Sequence, residues 1–65
     1  MTNLKNNLKK DTLKRVSDIF GLISIYENNN CLIIESKKSL TFEWAKFISK
    51  EIKTKCTFIT YKTNF

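Results

Sequence analysis

Apolar residues recur every three or four positions at the start of the chain, which is the spacing of one helix face. Between residues 3 and 20 they are Leu4, Leu8, Val16, Ile19 and Phe20, with Leu13 at the edge of the stripe. This pattern predicts a helix over 3–20. Thr2 or Asn3 is placed to cap its start; Asp11 is a second candidate cap, in which case the first ten residues bend away. Gly21 follows the last periodic residue, where a left-handed helix end is expected.

The next two apolar segments have the composition of β-strands. Residues 22–27 and 31–36 are rich in β-forming side chains, and three asparagines separate them. Because asparagine tolerates positive φ, residues 28–30 are predicted to form a three-residue hairpin loop. The residues expected to share a face within each strand are Ile23 with Ile25 and Leu32 with Ile34.

The polar segment SKKS separates the hairpin from a second amphipathic stretch. Ser39 or Thr41 is expected to cap this helix, and Glu43 lies in its first turn, where a carboxylate suits the helix dipole. The helix is predicted to end near Thr54. Its apolar stripe is Trp44, Ala45, Ile48 and Ile52, flanked by Phe47. The following CTFITY, residues 56–61, alternates between two faces and predicts a third strand, with the tail KTNF loose.

The element order is helix, strand, strand, helix, strand, which predicts an α+β fold. The 65 residues form one small domain, with the helices packed on one face of a small sheet. The first two strands pair as an antiparallel hairpin, and the helix returns the third strand by a right-handed crossover if that strand lies parallel to the second. The expected core consists of Trp44, Ile48 and Ile52 with Ile23 or Ile25, Ile33 or Ile34, and Phe58.

Charge narrows the class of partner. Twelve Lys and Arg against six Asp and Glu give a net charge of +6. Such a balance favours a polyanion, most often nucleic acid and less often an anionic membrane surface. The alternative is a soluble basic protein without such a partner. Neither a signal peptide nor a membrane-spanning segment is recognisable, so the chain is expected in the cytoplasm, with Cys31 and Cys56 reduced.

Enzymatic chemistry finds little support in the composition. The chain has no histidine and one glycine, so the commonest general base and a glycine-rich phosphate loop are both missing. Two thiols cannot supply the usual four zinc ligands. Four carboxylates outside the first helix are dispersed and are expected to be ordinary surface charges: Glu27, Glu35, Glu43 and Glu51. We therefore expect no enzyme activity, no cofactor, no metal and no small-molecule substrate.

The candidate nucleic-acid site is a lysine ridge, defined as Lys46, Lys50 and Lys53, which share one side of the second helix. Lys37 and Lys38 precede this helix and Lys55 follows it. A second basic cluster in the first helix contains Lys14 and Arg15 together with Lys9 and Lys10. Lysine suits phosphate contacts more than base recognition, which indicates binding to structured RNA through its backbone and shape. For any lysine alone, a solvated surface charge is the alternative.

Aromatic side chains that stack on bases are the second feature of many nucleic-acid sites. Trp44, Phe47 and Phe58 are expected in the core instead, because they fall at helical spacing or on an apolar strand face. Tyr26 and Tyr61 are freer to stack.

One segment, ISIYENNNCLIIESKKSLTFEWAKFISKEI, resembles the middle of the eukaryote-specific e-type large-subunit ribosomal protein twenty-two family. That family has a hairpin, a serine-containing break, and a helix reading Ser/Thr-x-x-aromatic-x-Lys-aromatic-aliphatic-Ser/Thr-Lys. The positions that match in register are Thr41, Trp44, Lys46, Phe47, Ile48, Ser49 and Lys50, and Ser36 matches the serine that ends the second strand. Glu43 and Glu51 stand where the family is more basic.

The resemblance implies a structural component of the cytosolic large ribosomal subunit, bound to ribosomal RNA and neighbouring ribosomal proteins. Lys46, Lys50 and Lys55 are the lysines that it carries over. Two other functions remain open on the residues alone. One is a small regulator that binds nucleic acid or inhibits a nucleic-acid enzyme. The other is a protein-binding module that docks the apolar face of the first helix on a partner.

Overall fold

The computed structural model describes residues 3–64 and has the predicted α+β order. A short 3₁₀ helix comes first. It is followed by an α-helix, two strands, a second α-helix and a third strand. The elements are the 3₁₀ helix Leu4–Asn7, α1 Lys10–Phe20, β1 Leu22–Asn28, β2 Cys31–Ser36, α2 Phe42–Ile52 and β3 Phe58–Thr63. In the sheet, β2 lies between β1, which is antiparallel as predicted, and β3, which is parallel.

The core lies between the two helices and one face of the sheet. Leu32 and Ile34 of β2 are fully buried, and Ile25 of β1 pairs with Ile34 on the same face. These side chains meet residues of α1 and α2 in a single apolar cluster. Its helical members are Val16, Phe20, Ala45, Ile48 and Ile52, and Leu8 and Leu40 complete it. Ile23 is only half-buried, because the β1–β2 register shifts between Leu22 and Ser24.

The prediction that Phe58 belongs to the core is wrong. Leu32 pairs with Ile59 in the β2–β3 register, so Ile59 lies on the helix-covered face and packs against the core. Successive strand residues point to opposite faces, which turns Phe58 away from the helices. Its side chain is 64% exposed.

The first helix is shorter than predicted and is broken near its start. The 3₁₀ helix ends at Asn7, and Leu8 is extended before α1 begins at Lys10. Asn3 caps the 3₁₀ helix, since its side chain accepts a hydrogen bond from the Lys5 N–H. Asp11 lies in the first turn of α1 and is not its cap. Thr2, the other candidate cap, lies outside the described residues.

The bend buries Leu8, but not every residue of the predicted apolar stripe is buried. Leu8, Val16 and Phe20 are buried as expected, and Leu4 and Leu13 are partly buried against the core. Ile19 is instead 46% exposed. Ile19 and Phe20 are neighbours about 100° apart around the helix, so a helix that buries Phe20 turns Ile19 toward its exposed side.

A carboxylate from the second helix supplies the missing cap of α1. Lys9 is the N-cap residue but makes no side-chain capping bond. Its N–H donates to Glu51 Oε1 at 3.0 Å, and the Thr12 hydroxyl donates to the same oxygen at 3.0 Å. A negative charge at a helix N-terminus is stabilising. Glu51 therefore ties the start of α1 to the end of α2, and its prediction as an ordinary surface charge is wrong.

Replacing Glu51 with alanine is expected to destabilise the fold by about 1–2 kcal/mol, the usual cost of losing a helix cap. Glu43→Ala is the matched control, because Glu43 is an exposed glutamate on the same helix. It is expected to lower the free energy of unfolding by less than about 1 kcal/mol, because Glu43 loses only an exposed interaction with the helix dipole. Urea denaturation of both variants measures the difference. Equal losses would show that the Glu51 contacts with Lys9 and Thr12 do not contribute to stability.

Positive φ angles occur at the end of α1 and in the hairpin turn. Gly21 ends α1 at φ 67°, as predicted, and a Cβ atom there would lie 3.0 Å from the Lys37 Cβ. The hairpin turn has two residues rather than the predicted three, because Asn28 pairs with Cys31 inside the sheet. Asn29 and Asn30 take φ values of 51° and 62°. Both angles are positive, as the favoured two-residue hairpin turn requires.

The second helix begins as predicted and ends earlier. The Thr41 side chain accepts from the Trp44 N–H, and Glu43 lies in the first turn. The helix ends at Ile52 rather than near Thr54, and Lys53 closes it at φ 62°. The third strand is shifted toward the C-terminus relative to its prediction.

The tail that was predicted to be loose is partly in the sheet. Lys62 and Thr63 belong to β3, and the Asn64 N–H donates to the Ser36 carbonyl at 2.8 Å. Phe65 lies outside the described residues. The β-branched Thr63 and the parallel pairing with β2 extend the strand beyond the alternating apolar stretch on which the prediction depended.

Candidate nucleic-acid interface

Two of the ridge lysines project from the middle of α2. Lys46 and Lys50 are exposed, whereas Ala45, Ile48 and Ile52 are buried against the sheet. The lysines are one turn apart, so their Cα atoms are separated by about 6 Å along the helix axis. Because the opposite side of the helix is anchored in the core, Lys46 and Lys50 cannot turn inward without exposing that core.

Ser49 is a buried residue of α2 that lies outside the predicted apolar stripe. Its side chain is 8% exposed, and its hydroxyl donates to the Lys46 carbonyl at 2.7 Å. A serine that bonds back to the preceding turn satisfies its own polar group, which is why it can lie beside the apolar stripe. Its position one residue after Ile48 was the only available signal.

Lys37 and Lys38 lie in the loop that leads from β2 to α2, beside the end of α1. The Lys37 N–H donates to the Gly21 carbonyl at 3.0 Å, and the Lys38 N–H donates to the Phe20 carbonyl at 2.9 Å. The Ser36 hydroxyl also donates to the Lys38 carbonyl at 2.6 Å. These hydrogen bonds fix the loop backbone to the end of α1 and to the end of β2. The two lysine side chains are exposed.

Lys53 and Lys55 lie at the opposite end of α2 from Lys37 and Lys38. The 11 residues of the helix separate the two pairs by about 16 Å along its axis. Lys53 is the exposed left-handed cap of α2 and not a residue of its regular face. Both lysines line one shallow depression with Glu27 and Thr54. Part of the positive charge at this end is thus opposed by the Glu27 carboxylate.

The Glu27 carboxylate is held by two donors. The Thr54 hydroxyl donates to Glu27 Oε2 at 2.7 Å, and the Cys56 thiol donates to the same oxygen at 3.1 Å. These bonds lower the pKa of Glu27, with the Thr54 bond as the larger cause. Hydrogen bonding to Thr54 lowers the pKa of Cys56, but burial and the nearby Glu27 carboxylate outweigh it and raise the pKa overall. A thiol held protonated in this way is a poor nucleophile.

Half of the second predicted cluster is opposed by nearby carboxylates. Lys14 and Arg15 are exposed on α1, but Asp11 and Asp18 line the same shallow depression together with Ile19. Two carboxylates beside two cations weaken the attraction for a polyanion. The fold therefore favours the α2 lysines over Lys14 and Arg15 as a phosphate-binding surface.

Aromatic residues line the seam between the two helices. The Trp44 ring meets the Phe20 ring edge to face, with centroids 6.0 Å apart, and the Phe47 ring at 5.8 Å. Arg15 and Glu43 complete a depression beside Trp44 and Phe47. Trp44 is half-buried and Phe47 is 51% exposed, so the prediction that both belong to the buried core holds only in part. Phe47 precedes the buried Ile48 by about 100° around the helix, which turns it toward the outside.

The two tyrosines lie on opposite faces of the sheet. Tyr26 pairs with Ile33 on the face away from the helices, and hydrogen bonding to Glu35 raises the pKa of its phenol. Tyr61 pairs with Ile34 on the helix-covered face and is 38% exposed. The structure does not bring them together as one stacking surface.

The site contains no arrangement of side chains that would hold a metal. Within residues 3–64, no group of three or more Cys, Asp or Glu side chains is placed to share an ion. Cys31 and Cys56 are free thiols.

No helix in the described part of the chain has the length and apolar character needed to cross a membrane. Comparisons of the chain with protein-family models, with characterised proteins and with solved structures give no match.

Proposed function

We propose that this protein binds structured RNA along α2, as a structural component of the large ribosomal subunit. The observation that carries the proposal is the exposure of Lys46 and Lys50 on a helix whose opposite side is buried in the core. Like charges one turn apart cost a few tenths of a kcal/mol on an isolated helix. Phosphates placed against them would convert that repulsion into net attraction.

The position of Glu51 strengthens this argument. In the sequence it directly follows Lys50 and would weaken the local positive charge if it were free on the surface. In the fold its Oε1 accepts from the Lys9 N–H and the Thr12 hydroxyl, so the carboxylate is used at the start of α1. The Glu51 carboxylate keeps its negative charge but is directed toward the start of α1 rather than into solvent beside Lys50.

The remaining lysines extend the surface beyond both ends of α2. Lys37 and Lys38 stand before its start, and Lys53 and Lys55 stand after its end. Lysine contacts phosphates as a point charge and carries little information about base identity. A line of this kind suits a folded RNA, which proteins recognise through backbone phosphates, 2′-hydroxyls and shape.

The ribosomal part of the proposal depends on the family resemblance. Several positions of the family helix pattern have defined structural roles in this fold: Thr41 caps α2, Ile48 is buried, and Lys46 and Lys50 are exposed. On this proposal the protein is a non-enzymatic constituent of the ribosome in the cytoplasm, with ribosomal RNA and neighbouring ribosomal proteins as its partners.

The RNA-binding part is tested by measuring affinity for an RNA hairpin over a salt series from about 50 to 200 mM. If the six lysines on and beside α2 all contact phosphate, log affinity is expected to fall against log salt with a slope of about −5, taking about 0.9 per contact on a duplex. A second hairpin of the same shape and different sequence is the control, and its affinity should be equal. A slope near zero would contradict the proposed site.

The ribosomal part has a separate test. The endogenous protein is expected to co-sediment with large ribosomal subunits and to be released only at high salt. A protein that stays in the soluble fraction while still binding RNA with a steep salt dependence would contradict the ribosomal assignment and support a free regulator. The α2 site itself would be retained in that case.

A further inference from the structure

The two edges of the sheet differ in how far they are protected from pairing with another strand. The outer edge of β1 is partly covered, because the Ile25 N–H donates to the Asn3 side-chain oxygen at 3.3 Å and the 3₁₀ helix packs beside the strand. The irregular register between Leu22 and Ser24 further disrupts this edge. Covering elements and bulges of this kind are how native proteins prevent an edge strand from pairing with another chain. They leave β1 protected.

The outer edge of β3 carries no such protection in the described part of the chain. The Phe58 N–H donates to the Asn30 carbonyl and the Asn64 N–H to the Ser36 carbonyl, so the even-numbered residues direct their backbone groups toward β2. Backbone groups alternate in direction along a strand, so those of Ile59, Tyr61 and Thr63 point outward, away from the sheet. The segment FITYKT contains no proline and a single charge, Lys62.

We propose that β3 pairs antiparallel with β3 of a second copy of this chain, which joins the two sheets into one across a two-fold axis. A two-fold axis perpendicular to the sheet generates this antiparallel pairing and makes the contact self-complementary. The outward N–H and C=O groups of Ile59 and Tyr61 would then bond to those of Tyr61 and Ile59 in the second copy.

The side chains favour a register with Thr60 on the axis. Thr60 then faces its own copy, Ile59 faces Tyr61, and Phe58 faces Lys62. Threonine pairs and pairs of aromatic with β-branched residues are favourable across strands, and a lysine over an aromatic ring adds a cation–π contact. Phe58, exposed at 64% in the single chain, gains a partner.

Centring the pairing on Tyr61 is less favourable. Lys62 would face Thr60 of the second copy, and the two lysines would become diagonal neighbours at about 7–8 Å. With Thr60 on the axis, Lys62 of one copy faces Phe58 of the other. The second copy's own Lys62 is four residues further along its strand. The like charges are then about 13 Å apart along the strand.

Net charge sets the salt dependence of this association. Each copy carries +6, so the two copies repel at long range and screening by salt should strengthen the dimer. Binding to RNA depends on salt with the opposite sign. The proposed dimer therefore does not rest on the proposed RNA function, and the two can fail independently.

The test is sedimentation equilibrium of the full chain from about 1 μM to 1 mM, at low and high salt. Wild type is expected to form a dimer that tightens with salt. Thr60→Lys places two like charges face to face on the axis and should weaken the dimer by more than about tenfold. Thr63→Lys is the matched control, with the same substitution at another exposed position of β3, and should leave the dimer intact.

Circular dichroism and thermal melting of both variants establish that they fold, since Thr60 and Thr63 are exposed in the single chain. A wild-type chain that stays monomeric throughout this range would overturn the proposal. A dimer that Thr60→Lys leaves unchanged, or that both variants weaken equally, would overturn it as well.

A cross-link tests the register directly. Thr60→Cys should form a disulfide between two copies on mild oxidation, because directly opposed residues of this type have Cα atoms about 4.5–5.5 Å apart. Cys31 must first become serine, since its sulfur lies 3.0 Å from the Thr60 hydroxyl and would capture the new thiol within one chain. Cys56→Ser removes the remaining thiol. Thr63→Cys in the same background is expected to cross-link much less, and equal yields would contradict this register.

Discussion

Replacing Lys46, Lys50 and Lys53 with glutamine is expected to make the salt slope of RNA binding shallower by about two to three units. Each lost phosphate contact removes about 0.9 from the slope of log affinity against log salt on a duplex. Glutamine keeps the length and helix propensity of lysine, so folding should be nearly unchanged. The loss of affinity should be about equal for RNA hairpins of different sequence, because phosphate contacts do not read bases. Fluorescence titration over a salt series measures both effects.

The matched control removes the same number of charges elsewhere. Lys9, Lys10 and Lys14 are exposed at the start of α1 and do not belong to the ridge. Their triple glutamine variant has the same net charge as the ridge variant. The control should change the slope by less than about one unit if only the ridge contacts phosphate. Equal slopes for the two variants would mean that net charge attracts RNA without a defined site. An unchanged slope in the ridge variant would leave Lys46, Lys50 and Lys53 as solvated charges.

Truncating Ile48 to alanine is expected to cost about 2–5 kcal/mol of stability. Ile48 is fully buried between α2 and the sheet, so alanine would leave a cavity in the centre of the core. A chain of 65 residues has a total stability of about 3–10 kcal/mol at the usual value per residue. The variant should therefore be largely unfolded or unfold at much lower urea concentration than wild type.

Phe47→Ala is the neighbouring control. Phe47 is 51% exposed and its ring packs against that of Trp44, so its loss should cost much less than that of Ile48 despite its greater size. Trp44→Ala should fall between the two, since Trp44 is half-buried but contacts both Phe20 and Phe47. Urea denaturation ranks the three variants. A loss at Phe47 as large as that at Ile48 would mean that the outer side of α2 is covered in solution.

The cap of α1 shows why local pattern could not locate the start of that helix. Asp11 has the residue type of a good N-cap, so the local sequence makes it a candidate start of the helix. The group that accepts the Lys9 N–H comes from Glu51, which is 42 residues away in the chain. Trp44 and Glu51 are two turns apart and lie on one side of α2. That spacing was the only feature of the sequence that could have indicated that Glu51, like Trp44, faces α1.

The end of β3 shows the same limit for a strand. The alternation of CTFITY indicated a strand and its two faces, but not which face the helices cover. That choice follows from the pairing of Ile59 with Leu32, which buries Ile59 and exposes Phe58. Lys62 and Thr63 join the strand because β2 offers them partners in Glu35 and Ser36, although the alternating apolar stretch ends before them.

The sequence by itself determined the α+β class, the order of elements, the left-handed end of α1 at Gly21, the cap of α2 as one of Ser39 and Thr41, and the buried positions Ile48 and Ile52. These features depend on residue spacing and on the conformational preferences of single residues, which are local properties of the chain. Only the tertiary structure decided that Glu51 caps α1, that Phe58 and Phe47 are exposed, and that β3 is left with an open edge. Each of these depends on which distant groups meet, and the free energy of that packing exceeds the small preferences that local sequence expresses.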